Sequence, residues 1–133
     1  MPNYPASFGD DMPAGREMDA MVGAKVMGCR VKRGKSNIYC GCDRAPHNDN
    51  LSAAAERSYP ALDHYSTDIT AAWKLVEKLA DGIHCVFDLV LDWDGGWYAC
   101  FEPAGGDKYG ASNVDTAPLA ICRAALRVVE ADT

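Results

Sequence analysis

Apolar residues recur at helical spacing in three stretches of the chain and alternate with polar ones in a fourth. In AGREMDAMVGAKVMGC, the residues Met18, Met21, Val22, Val26 and Cys29 fall along one side of a helix, leaving Arg16, Asp19 and Lys25 for solvent. Gly23 weakens that helix by about 1 kcal/mol relative to Ala and leaves room for a close approach by another element. Gly28 reads as its stop signal. The second stretch, YSTDITAAWKLVEKLADGI, places Ile69, Ala72, Trp73, Val76, Leu79 and Ile83 in one stripe. Ser66 is the expected N-cap, Asp68 sits in the first turn where the helix dipole favours a carboxylate, and Gly82 is the expected end.

The fourth pattern follows directly. In HCVFDLVLDW the odd positions Cys85, Phe87, Leu89, Leu91 and Trp93 alternate with Val86, Asp88, Val90 and Asp92. This predicts a strand with its odd face in the core, a turn at Asp94-Gly95-Gly96 and a return strand in WYACFEP. Residues 103–114, PAGGDKYGASNV, read as a glycine-rich loop. The last helix opens at Asp115 or Thr116, with Pro118 in the first turn where its missing N–H is no loss. Leu119, Cys122, Leu126 and Val129, flanked by Ile121, Ala125 and Val128, give it an apolar surface broad enough for more than one neighbour.

Two regions lack such patterns. Residues 1–13 hold three prolines and read as a surface arm preceding a single domain at 14–133. Residues 30–64 carry much of the basic charge, a CxC and two histidines. VKRGKSNIYC within them can form a short hairpin around Gly34, and Leu51–Glu56 a helical turn. The predicted order is helix, irregular insert, helix, strand, strand, helix: an α+β fold with a small antiparallel sheet.

With 133 residues the chain has room for one core and not two. No apolar run reaches the roughly 20 residues that span a bilayer, and the start has no basic-then-apolar leader, so the expected location is the cytoplasm. The six cysteines are accordingly expected as thiols. A net charge of −6 argues for solubility and against non-specific attraction to nucleic acid.

The three helical blocks, GREMDAMVGAKVMG, YSTDITAAWKLVEKL and DTAPLAICRAAL, together resemble the phage ABA-sandwich family, over about 40 of the 133 residues. The resemblance implies a phage or prophage source and a layered α–β–α sandwich, and it implies no catalytic residues.

The sharpest chemical constellation is Cys29, Cys40, Cys42 and His47. Thiolates and imidazole suit a tetrahedral zinc, and a structural zinc would order a long insert. The spacing is not the paired CxxC of strong zinc signatures, and free thiols are the competing reading. Gly105 and Gly106 with Lys108 have the parts of a phosphate cradle without the P-loop pattern; a plain loop is the alternative. His64 and His84 invite comparison with Cys40 and Cys85 as base and nucleophile, but no third group at informative spacing orients them. Asp88 and Asp92, about 13 Å apart along one strand, are too distant to act as a carboxylate pair.

These readings lead to a non-enzymatic phage accessory protein acting by binding, with a host or phage protein as partner and inhibition or sequestration of a host defence component as the task. A small nucleotide- or nucleic-acid-processing enzyme and a structural virion component are the alternatives. The aromatic load of the hairpin, in Trp93, Trp97, Tyr98 and Phe101, is expected mostly in the core, with any exposed remainder available to a partner or to a second copy in a homodimer.

Overall fold

The computed structural model describes residues 12–34, 38–41, 61–104 and 106–131. Their elements are α1 (Arg16–Lys25), β1 (Val31–Arg33), β2 (Ile38–Cys40), α2 (Ile69–Ile83), β3 (Cys85–Leu91), β4 (Trp97–Pro103), β5 (Tyr109–Val114) and α3 (Ala117–Ala131). Three helices and two antiparallel sheets make the fold α+β. The expected turn at Leu51–Glu56 lies outside the described residues, as does most of the N-terminal arm.

The first sheet is the expected hairpin around Gly34, with Val31 opposite Cys40 and Arg33 opposite Ile38. The second runs β3-β4-β5, with Cys85 opposite Pro103, Leu91 opposite Trp97 and Phe101 opposite Tyr109. Its third strand corrects the sequence reading, which left 103–114 as a loop. GGDKYGASNV has no apolar alternation, and the strand is held instead by close approach. A Cβ on Gly110 would stand 3.0 Å from the Ala99 carbonyl and 3.4 Å from the Tyr98 ring.

Cys85, Phe87 and Leu89 of β3 do face the core, whereas Leu91, at the strand's end, and Trp93, beyond it, are exposed. Phe87 meets Phe101 with ring centroids 4.8 Å apart and Trp73 of α2 edge-on at 5.7 Å. Phe101, Ala99 and Val114 are fully buried with α3, while Cys85, Leu89, Trp97 and Tyr109 pack partly buried around them. Helix α3 touches β4, β5, α1 and α2. Ala120, Ile121, Cys122, Ala124, Ala125 and Leu126 are wholly buried, as its broad apolar surface requires.

Helix α2 differs from expectation in three ways. Its N-cap is Asp68, which accepts from the Thr70 amide at 3.0 Å, because Ser66 is occupied elsewhere. Its buried side is Ala71, Ala72, Leu75, Val76 and Leu79, a stripe rotated from the expected one, so that Ile69 and Trp73 remain 45% and 46% exposed. It runs past Gly82, and His84, at φ 51°, supplies the left-handed residue that ends it. Helix α1 ends as expected before Gly28, which has φ 74°. Gly23 receives the predicted close approach: a Cβ there would lie 3.1 Å from Leu62.

Candidate functional site

Asp19, expected in solvent, is only 1% exposed. On α1 it shares a side with Val22 and Gly23, three and four positions on, and both are buried. A carboxylate placed there must find donors. Its Oδ1 accepts from the Ser66 amide at 2.8 Å and the Ser66 hydroxyl at 2.7 Å, and its Oδ2 accepts from Arg16 Nη1 at 2.9 Å. Ser66 Oγ in turn accepts from the Gly15 amide at 2.8 Å. Arg16 Nη2 donates to the Ile38 and Leu62 carbonyls at 3.0 and 2.8 Å. One helix N-terminus, the β1–β2 hairpin and the segment leading into α2 are thereby joined at one charged knot.

The knot has the residue types of a nucleophilic site but not its geometry. Ser66 is 0% exposed and its hydroxyl lies 2.7 Å from the carboxylate and 3.1 Å from the Gly15 carbonyl, with no imidazole between it and Asp19. His64 Nδ1 stands 4.0 Å from Asp19 Oδ2, beyond hydrogen-bond reach. A nucleophile needs access and a base. The arrangement holds the fold together. Its signal in the sequence was the apolar flanking of Asp19 by Met18, Ala20 and Val22.

The residues singled out for chemistry are distributed rather than gathered. Cys29 and Cys40 are buried thiols close enough to Tyr65 for their charge to act on its phenol. Cys42 and His47 lie outside the described residues, and among the described residues no three His, Cys, Asp or Glu side chains converge as a metal site. Gly105 is also outside them. The Gly106 amide is committed to the Pro103 carbonyl at 3.0 Å, and the Lys108 ammonium stands 4.0 Å from the Glu102 carboxylate. Burial pushes the Cys85 thiol up and the Cys122 thiol far up, which lowers the thiolate fraction that reactivity requires.

Between α1 and β1 lies a shallow groove of about 240 Å³, with Ala20, Met21, Ala24 and Val31 on its floor. Arg33 and Glu17 form a bidentate pair at its rim, at 2.8 and 3.0 Å, and the guanidinium holds the Glu17 carboxyl below its ordinary range.

The larger exposed feature is the second face of the β3–β4–β5 sheet. Helices α2 and α3 cover the Phe87 and Phe101 face; the other holds Val86, Asp88, Val90, Tyr98 and Glu102 around Cys100, which stands opposite Asp88 and is itself buried. Val86 and Val90 are 62% and 45% exposed. At its end the turn is closed by Asp92 N–H to the Gly96 carbonyl at 2.8 Å, with Gly95 at φ 89°. This turn carries Trp93, 107% exposed, beside Leu91 at 56%. Phe101 is in the core as expected, and Trp97 and Tyr98 are half-buried, so the exposed remainder of the hairpin's aromatics is Trp93.

These features define a small α+β domain whose polar knot is structural and whose exposed apolar residues lie on α2, on β3 and in the turn after it. The phage ABA sandwich domain family has a model that matches residues 20–126, and the chain belongs to that family. No curated protein and no solved structure matches it. The match begins one residue after Asp19, so the knot joins a residue just before it to Ser66 within it.

Proposed function

We propose that this chain is a non-enzymatic phage or prophage accessory protein that acts by binding another protein, in the cytoplasm of the host, and that the bound protein is a component of host defence. The observation that carries the reading is the exposure of Val86, Val90 and Leu91 on β3 and of Trp93 in the turn that follows it, on a hairpin whose sheet is backed by two helices. A tryptophan fully in water on a braced hairpin is the kind of residue that anchors protein interfaces. Membership of a phage family supports the setting, and blocking or sequestering a defence component is a task that binding alone performs. The α–β–α layering belongs to the same reading: α2 and α3 form one helical layer, and the second sheet face is where another would lie.

Affinity capture from host lysate with the tagged full chain, paired with nucleotide-turnover assays, tests it. One stoichiometric partner and no turnover support the proposal. Turnover of a nucleotide or nucleic acid by the pure protein, lost in Lys108→Ala with the fold intact, would replace it with the enzymatic reading. A structural zinc on Cys29, Cys40, Cys42 and His47 is proposed alongside, and about one equivalent of zinc in the untagged protein is its expected result.

A further inference from the structure

The open sheet face is acidic as well as apolar. Between Cys85 and Val114 stand five carboxylates, Asp88, Asp92, Asp94, Glu102 and Asp107, against one cation, Lys108. That segment therefore carries a net −4 of the chain's −6. Asp88 shares the exposed face with Val86 and Val90 on β3, and Glu102 lies opposite Val86 on β4. Asp92 and Asp94 flank Trp93 at the turn.

We infer that this face docks a basic amphipathic helix of a partner protein, an inference that rests on the binding function proposed above. Three observations carry it. The first is size: seven-residue strands give a face on the order of 23 Å long, and three strands set about 10 Å from first to last. A single helix about 10–12 Å wide and four turns long fills that area. The second is the arrangement of apolar residues: Val86 and Val90 lie two pleats apart on one face of β3, and beyond the end of that strand the turn holds Trp93 fully exposed. These offer the apolar stripe of a helix two contacts along the strand and an aromatic one at the turn. The third is charge. Asp88 and Glu102 border the strip, so lysine or arginine beside the partner's apolar stripe meets carboxylates. A second copy of this chain is disfavoured by the same charges, since face-to-face packing would set Asp88 and Glu102 of each copy against those of the other.

The test uses the full-length protein and two fluorescent 18-residue probes with leucines at helical spacing, one with lysine at every other position and one with glutamate there. Fluorescence anisotropy at low salt should give at least a tenfold preference for the lysine peptide, weakening as sodium chloride is raised. Charge alone would produce a preference, so the deciding variants are neutral. Trp93→Ala and Val90→Ser should each weaken binding of the lysine peptide tenfold or more. Asp88→Lys combined with Glu102→Lys, which takes the segment from −4 to 0, should abolish the preference. Trp93 touches so little of the fold that its variant reads binding even if Val90→Ser lowers stability.

Equal binding of both peptides, or binding untouched by Trp93→Ala and Val90→Ser, would overturn the inference. So would a dimer in native mass spectrometry that Val90→Ser dissolves, because it would place a second copy on the face. Failure here is separable from failure of the broader reading: a lysate partner retained equally by wild type and by Trp93→Ala leaves a binding protein that uses another surface.

Discussion

Replacing Asp19 with Ala removes the common acceptor of the Arg16 guanidinium and of the Ser66 amide and hydroxyl. Breaking a buried charged pair from one side costs about 3–5 kcal/mol, mostly through the donors left behind. Arg16 remains 26% exposed and keeps its carbonyl partners, which moves the expected loss to the lower end, about 3 kcal/mol. Ser66→Ala leaves the carboxylate two of its three donors and strands only the half-buried Gly15 amide, so it should cost about 1.5–2 kcal/mol, in the range for hydrogen bonds to charged groups. Urea unfolding followed by circular dichroism is the assay. With a slope of about 2 kcal/mol/M, the midpoint should fall by roughly 1.5 M for Asp19→Ala and by just under 1 M for Ser66→Ala, at unchanged slope. The double variant should cost little more than Asp19→Ala, a coupling of at least about 1 kcal/mol. Loss below about 1 kcal/mol for Asp19→Ala, or simple additivity, would refute the assignment of the knot as the fastening of α1 to the segment before α2.

Three further outcomes are expected. Asp68→Ala should destabilise by about 1 kcal/mol in the same assay, the ordinary cost of losing a helix N-cap, and so less than Ser66→Ala. His84→Gly should raise the melting temperature, by relieving about 1 kcal/mol of left-handed strain at φ 51°. In the unfolded chain the Tyr65 phenol ionises near pH 10. In the fold, burial first and then the charges of Cys29 and Asp63 hold it neutral to higher pH. Its contribution is therefore complete below pH 10 and is lost as pH rises above it, and urea midpoints at pH 9 and 11 should diverge more for wild type than for Tyr65→Phe.

The helices and the hairpin were legible because their apolar residues keep a single period over ten positions or more. Helix α2 was found but rotated, since Ala71 and Leu75 make as good a helical stripe with Val76 and Leu79 as Ile69 and Trp73 do; only the neighbouring elements choose between them. Strand β5 was hidden because small and polar residues carry it. Asp19 was misplaced because a carboxylate on a helix ordinarily faces water, and its partner Ser66 stands 47 positions away. Ser66 was identified as a residue that matters and assigned to the wrong bond: of two side chains able to cap α2, the nearer one does so and the other reaches across the fold. The exposure of Trp93 was likewise beyond periodicity, which continued the odd face of β3 two residues past the strand's end.

The chain leaves β2 at Cys40 and comes back at Ala61, which bridges Tyr39, while the Leu62 amide bonds the Ile38 carbonyl at 2.9 Å and Arg16 grips both carbonyls at that junction. Departure and return are thus fastened at one point. The junction closes the chain on itself at the knot, so that a change at Arg16 is felt by β2, by the segment before α2 and by α1 together.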